Sequence, residues 1–166
     1  MYKFLGNFPF DSEINLEDFT FHSHKIKQHF DEDSMIAKSA GYSDNTEMMK
    51  CWGEDFPTWL STYVDTFPID KVNANFQLQK AGCIIPPHRD SFDMIKNKGY
   101  EEKPYRILVC MNEWIFGQVI MVEDTVITNW KRGDAWIWDS EAMHMSANGS
   151  LDNKLTMIIS GFYEDR

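Results

Sequence analysis

The chain has 166 residues, enough for one domain that buries roughly two-thirds of its unfolded surface and needs no disulfide or structural metal merely to fold. Sixteen Lys and Arg against 26 Asp and Glu give a net charge of −10, and the basic stretches KIKQH (25–29) and WKR (130–132) are short and set beside acidic residues, so nucleic acid is not an expected partner. No segment reaches the ~20 apolar residues of a membrane span, no charged-then-apolar leader opens the sequence, and the three cysteines Cys51, Cys83 and Cys110 form no CxxC pair, so the expectation is a soluble cytoplasmic protein with packed thiols.

There is no repeat, low-complexity run or linker, so the whole of 1–166 is expected to form a single domain. Residues 1–70 read as helical and irregular cover. The clearest helix runs over Pro57–Phe67, where a Pro suits the first turn and Trp59, Leu60, Tyr63, Val64 and Phe67 recur with helical spacing. A second helix is expected around Leu16–Phe30, and SAGYSDN (39–45) reads as a loop.

From residue 71 to 166 the pattern becomes that of strands. Short alternating runs rich in β-branched and aromatic residues place them near Val72–Lys80, Cys83–Pro86, Tyr105–Asn112, Gln118–Glu123, Thr125–Trp130, Ala135–Asp139 and Leu155–Tyr163. In the first of these Val72, Ala74, Phe76 and Leu78 alternate with Asn73, Asn75, Gln77 and Gln79, so its amide face meets water or lines a polar cavity. The expected fold class is mainly β with helical cover, a β-sandwich or jelly roll with N-terminal helices packed on one sheet.

Two of the five histidines carry a chemical signal. His88 stands two residues before Asp90 in PPHRDSF, and His144 lies in EAMHMSAN. On an extended segment residues i and i+2 point to the same side, so His88 and Asp90 can converge on one ion with Arg89 turned away, and a neighbouring strand must bring His144. Two imidazoles and a carboxylate on one face of a metal suit non-haem Fe(II) and leave positions open. Lys154, ten residues after His144, shares a strand face with Thr156, and a cation beside a hydroxyl is a natural receptor for a carboxylate.

At this point the sequence resembles the Fe(II)/2-oxoglutarate-dependent dioxygenases, in particular the branch of prolyl hydroxylases and aspartyl/asparaginyl β-hydroxylases. The resemblance spans roughly 73–163 and rests on four segments in order: FQLQKAGCIIPPHRD with Gly82 six residues before the first ligand, RILVCMNEW, WKRGDAWIWDSEAMHMSAN and NKLTMIISGF. It implies a double-stranded β-helix, cupin-like, with Fe(II) held by His88, Asp90 and His144 and the far carboxylate of 2-oxoglutarate held by Lys154 with help from Thr156. Many relatives have Tyr near Gln79 and Tyr or His near Cys110 against the co-substrate, where this chain offers an amide and a thiol. The implied reaction consumes 2-oxoglutarate and O2, releases succinate and CO2, and hydroxylates a carbon of a protein or peptide side chain or an amino-acid-like small molecule.

Other residues leave alternatives open. Arg106 shares strand parity with Leu108 and Cys110, so a cavity-facing guanidinium would meet the co-substrate or a substrate carboxylate, whereas a strand-end Arg would pair with Glu101 or Glu102. Asp139 and Asn148 are candidates for supporting the imidazoles. The tryptophans Trp114, Trp130, Trp136 and Trp138 read as core, and His22-Ser23-His24 as exposed surface. Two other functions compete: a cupin-type metalloenzyme that does not use 2-oxoglutarate, which has no need of Lys154 and Thr156, and a non-catalytic jelly-roll binding module, which leaves the two histidines and Asp90 without a shared purpose.

Overall fold

The computed structural model describes residues 1–25, 46–92, 95, 97 and 99–163. Among these, eleven strands form two sheets. In chain order they are β1 (Tyr2–Asn7), β2 (His22–Lys25), β3 (Glu47–Trp52), β4 (Asp70–Gln79), β5 (Ile84–His88), β6 (Tyr105–Cys110), β7 (Gln118–Val122), β8 (Thr125–Ile127), β9 (Asp134–Asp139), β10 (His144–Asn148) and β11 (Lys154–Phe162), with one helix, α1 (Thr58–Val64). The larger sheet has the order β1-β9-β6-β11-β4-β3-β2 and the smaller β5-β10-β7-β8. All strand pairs are antiparallel. From β4 onward the chain crosses repeatedly between the sheets, only the β7–β8 hairpin staying within one, and that is the winding of a jelly roll.

Two apolar clusters follow from the alternation of each strand. One lies between the sheets and includes Leu108, Cys110, Ile120, Val122, Trp136, Trp138 and Ile158. The other covers the outer face of the larger sheet, where Phe76, Ile107, Val109, Ile137, Met157 and Ile159 pack against Leu60, Tyr63 and Val64 of α1. The apolar stripe of α1 is therefore core, as its spacing predicts, and the helix is one turn shorter at its C-terminal end.

The expectation of a helical cover over 1–70 is corrected. Three strands occupy that region, and α1 is the one α-helix among the described residues. Around Leu16–Phe30 there is a single 3-10 turn, Leu16–Asp18, capped by the Asn15 side chain, followed by the edge strand β2. Residues 26–30 of that expected helix and the 39–45 loop lie outside the described residues. The strand EMMKCW carries helix-favouring Glu, Met and Lys, yet β3 pairs with β4 over Met49–Trp52, and that non-local pairing outweighs local propensity. The neighbouring strand expected to bring His144, for which the sequence suggests no bounds, is His144–Asn148: HMSAN has no β-branched residue, and it is extended because β5 and β7 flank it on both sides. The strand expected to reach Trp130 ends at Ile127, and Asn129 just beyond it adopts a left-handed backbone with φ 55°.

Candidate metal centre

The interior of the roll is set by register. Directly paired residues of antiparallel strands point to the same face, and in β11 Lys154, Thr156 and Ile158 pair with Gln79, Gln77 and Asn75 of β4. On the other side Thr156, Ile158 and Ser160 pair with Cys110, Leu108 and Arg106 of β6. Leu108, Cys110 and Ile158 belong to the cluster between the sheets, so these residues line the interior. The amide face of β4 therefore lines the interior, with Asn75 and Gln79 buried and Asn73 and Gln77 partly exposed.

His88 ends β5 and His144 begins β10, and the two are register partners with ring centroids 4.3 Å apart. Asp90 follows β5, with a carboxylate oxygen 3.4 Å from His144 Nε2 and the other 3.9 Å from His88 Nε2. One donor atom from each of His88, Asp90 and His144 lies within 4.8 Å of the others. Each imidazole is oriented by a backbone carbonyl: His88 Nδ1 lies 2.9 Å from Pro86 O, and His144 Nδ1 lies 3.1 Å from Ala142 O. A carbonyl can only accept, so these contacts place the proton on Nδ1 and turn both Nε2 lone pairs toward Asp90. Asp90 Oδ2 is buried and has no hydrogen-bond partner among the described residues. Lone pairs facing a carboxylate repel it unless a cation lies between, and this donor set of two imidazoles and one carboxylate fits a divalent transition metal. Burial alone would raise the Asp90 pKa, but the Arg106 guanidinium, then His144 and His88, with the neighbouring Trp138 indole, hold it below the usual carboxylate range. Burial pushes His144 down to about 4, which keeps it in the neutral, ligating form.

The supporting residues differ from those the sequence nominates. Asp139 pairs with the Met1 ammonium and Lys103, and Asn148 Nδ2 donates to Gln79 O and Asp152 O while its Oδ1 accepts from Ser150. Neither touches an imidazole. Arg106 pairs with Asp90, not with Glu101 or Glu102, and its guanidinium lies 5.0 Å from the ring centroid of Phe92. Phe92 adopts a left-handed backbone with φ 53° to put its buried ring there, the kind of local strain that persists where surrounding structure enforces it. Trp138 is core, as expected, but it also packs at 5.0 Å against His144. Its place in β9, two strands from β11, gives no local sign of that role.

Lys154 opens β11 and is 1% exposed. Its ammonium donates to Val119 O at 2.9 Å, Ser146 Oγ at 2.5 Å and Gln79 Oε1 at 3.4 Å. All three acceptors are neutral, and burial lowers the Lys154 pKa to about 7. Gln79 ties the group together, donating to Cys83 O and Ser146 O and accepting from Ser146 Oγ. Ser146 is two residues beyond His144 on the same strand and links the lysine to the histidine's strand; sequence reasoning passed over it. Thr156 and Cys110 are buried register partners one step further along, and burial pushes the Cys110 thiol far up. Arg106 lies at the opposite end of the interior from Lys154, being the register partner of Ser160, six residues further along β11. His22 is exposed on the edge strand β2.

No protein-family model and no curated protein matches this sequence. Solved structures do resemble the fold. The non-heme alpha ketoglutarate dependent epimerase SnoN from nogalamycin biosynthesis is 10% identical, with a TM-score of 0.53 over 71% of this chain and 62% of its own. A predicted oxalate decarboxylase from Thermotoga maritima is 10% identical, with a TM-score of 0.51 over 91% of this chain and 99% of its own. An oxidoreductase of the 2OG-Fe(II) oxygenase family from Burkholderia pseudomallei is 7% identical, with a TM-score of 0.50 over 69% and 66%. At such identities the likeness is one of fold: this chain is a cupin-like antiparallel β-structure whose His-Asp-His group has the donors to bind a metal.

Proposed function

We propose that the protein is a non-haem Fe(II)- and 2-oxoglutarate-dependent dioxygenase that hydroxylates a carbon of an amino-acid-like small molecule or of a peptide side chain. The observation that carries this reading is the pairing, inside one roll, of the His88–Asp90–His144 group with a fully buried Lys154 that has no carboxylate partner among the described residues. A buried ammonium held only by neutral acceptors is costly, and the anionic end of a 2-oxo acid supplies the missing charge. Iron with 2-oxoglutarate and O2 would supply the oxidising power, with succinate and CO2 as co-products.

The residues of the chain have separate tasks. His88, Asp90 and His144 would hold the metal, with Pro86 and Ala142 carbonyls fixing the imidazoles. Lys154, with Gln79 and Ser146 as its hydrogen-bonded frame and Thr156 beside it, would receive the far carboxylate. The apolar wall of Trp136, Trp138 and Ile158 keeps water from the same space. The tie to prolyl and aspartyl/asparaginyl hydroxylases rests on motif order alone.

A second reading, a cupin-type metalloenzyme that does not use 2-oxoglutarate, is favoured by one observation: Lys154 already has three acceptors, so its protons do not require a ligand. Anaerobic addition of Fe(II) and then 2-oxoglutarate separates the two. The expected result is the weak visible charge-transfer band of the chelate, followed by succinate release on admitting O2. Tight metal binding with no band and no dependence on 2-oxoglutarate would support the second reading and end the first.

A further inference from the structure

The interior of the roll carries further unsatisfied polar atoms at the end away from Lys154. Of the six buried side-chain nitrogen and oxygen atoms without a hydrogen-bond partner among the described residues, four are Asp90 Oδ2, Arg106 Nε, Trp138 Nε1 and Ser160 Oγ. Trp138, Arg106 and Ser160 form one row across β9, β6 and β11, each the direct register partner of the next. The Trp138 indole already supports the Asp90 carboxylate, which leaves Arg106 Nε and Ser160 Oγ, direct register partners, as the buried polar groups that call for a ligand. Arg106 is a pure donor, and Ser160 can donate.

A further cation joins them. Lys50, on β3, is paired with Gln77 and so faces the interior. Its ammonium lies 5.6 Å from the ring centroid of Trp52, which bends it along the strand toward the row of Arg106. Burial, and then the charge of Arg106, lower Lys50 to about 8, with Asp90 opposing. Asp90 is committed to Arg106 and to the metal centre, and no other carboxylate pairs with Lys50 among the described residues. Lys50 of β3, Arg106 of β6 and the Ser160 hydroxyl of β11 therefore all face the same interior.

We infer that Lys50, Arg106 and Ser160 form a receptor for a carboxylate of the primary substrate, distinct from the co-substrate end at Lys154. This deepens the proposed function and rests on it for the assignment of the bound molecule as substrate. The separation is structural: Ser160 and Lys154 are six residues apart on β11, and the metal centre contacts the Ser160 row through the Arg106–Asp90 pair. The Nη1 of Arg106 is taken by Asp90, while its Nε is buried without a partner among the described residues. The carboxylate belongs either to a free acid or to an acidic side chain of a peptide.

Titration calorimetry on the full-length, metal-free protein tests this. The probes are isovalerate against the isosteric isovaleramide, and the blocked tripeptide Ala-Glu-Ala against Ala-Gln-Ala. A charged hydrogen bond of the usual size predicts that Lys50→Met and Arg106→Gln each weaken carboxylate binding about tenfold or more, and that the amides bind weakly or not at all. Lys154→Met leaves unchanged the part of isovalerate binding that Lys50→Met and Arg106→Gln remove. Binding of isovalerate alone assigns a free acid, and binding of the glutamate peptide alone assigns a side chain; either supports the receptor. Equal binding of acid and amide, no binding of any probe, insensitivity to Lys50→Met, or loss of binding in Lys154→Met would each overturn it. Lys50→Met removes a charge that the fold disfavours, so it is expected to fold even if Arg106→Gln does not. Because the titration uses neither metal nor 2-oxoglutarate, its failure leaves the iron reading standing, and absence of iron binding leaves the carboxylate result standing.

Discussion

Replacing Lys154 with Met should make the metal-free protein more stable at neutral pH while damaging its affinity for 2-oxoglutarate. The lysine is 1% exposed, and its pKa falls from 10.5 to about 7, a drop of 10.5 − 7 = 3.5. At ~1.4 kcal/mol per pKa unit the buried charge costs the fold at most about 5 kcal/mol. The substitution also removes hydrogen bonds to Val119 O, Ser146 Oγ and Gln79 Oε1, each worth about 1 kcal/mol, so the net gain is about 2 kcal/mol. Because the folded pKa lies below the unfolded one, the penalty is complete below about pH 7 and fades as pH rises toward 10.5. Urea denaturation of both proteins at several pH values should therefore show the advantage of Lys154→Met shrinking above pH 7, vanishing at about pH 8.5 and reversing toward pH 10, a comparison that cancels the tyrosines and the other lysines. A carboxylate bound at Lys154 restores the charged form, so 2-oxoglutarate binding by the iron-loaded wild type at pH 8 takes up close to one proton. Calorimetry in buffers of different ionisation enthalpy measures that uptake, and Lys154→Met should show none. Equal proton uptake by the two proteins, or a stability difference that does not change with pH, would refute the reasoning.

Other consequences are open to simpler measurements. His88→Ala should abolish stoichiometric Fe(II) or Mn(II) binding, read by metal analysis after gel filtration, with little loss of fold because His88 is only partly buried at the end of β5. Asp90→Ala should also lose the metal and, by leaving Arg106 without its partner in a partly buried site, destabilise the protein by about 3 kcal/mol in urea denaturation. Gly133→Ala places a Cβ 2.5 Å from Phe8 O on a backbone with φ +90°, so a loss of about 2 kcal/mol or more and a clearly lower melting temperature are expected. Leu60→Ala empties a fully buried position in α1 against the outer face of the sheet and should cost about 2–5 kcal/mol without changing metal affinity, which separates core from site.

The convergence of His88, Asp90 and His144 into a candidate metal group was legible because its signal is chemical and local: His88 and Asp90 are two residues apart at a strand end, and His144 stands in a segment that the surrounding motifs bracket. Lys154 was found through its spacing from His144 and its place at the head of a strand whose alternation is plain. The same alternation placed seven of the eight strands from β4 onward to within a few residues, and helical spacing gave the buried stripe of α1. What the sequence did not disclose is whatever depends on which strand lies beside which. The pairing of β3 with β4 overrides the helical preference of EMMKCW, the sandwiching of β10 between β5 and β7 extends HMSAN, and the meeting of Arg106 with Asp90 joins strands from two sheets. Lys50 and Ser160 gave no sign at all, since an isolated Lys and Ser are ordinary in any strand. Periodicity and spacing act along the chain and can be read from it, whereas partners contributed by other strands are set by sheet order and register, which exist only once the roll has closed.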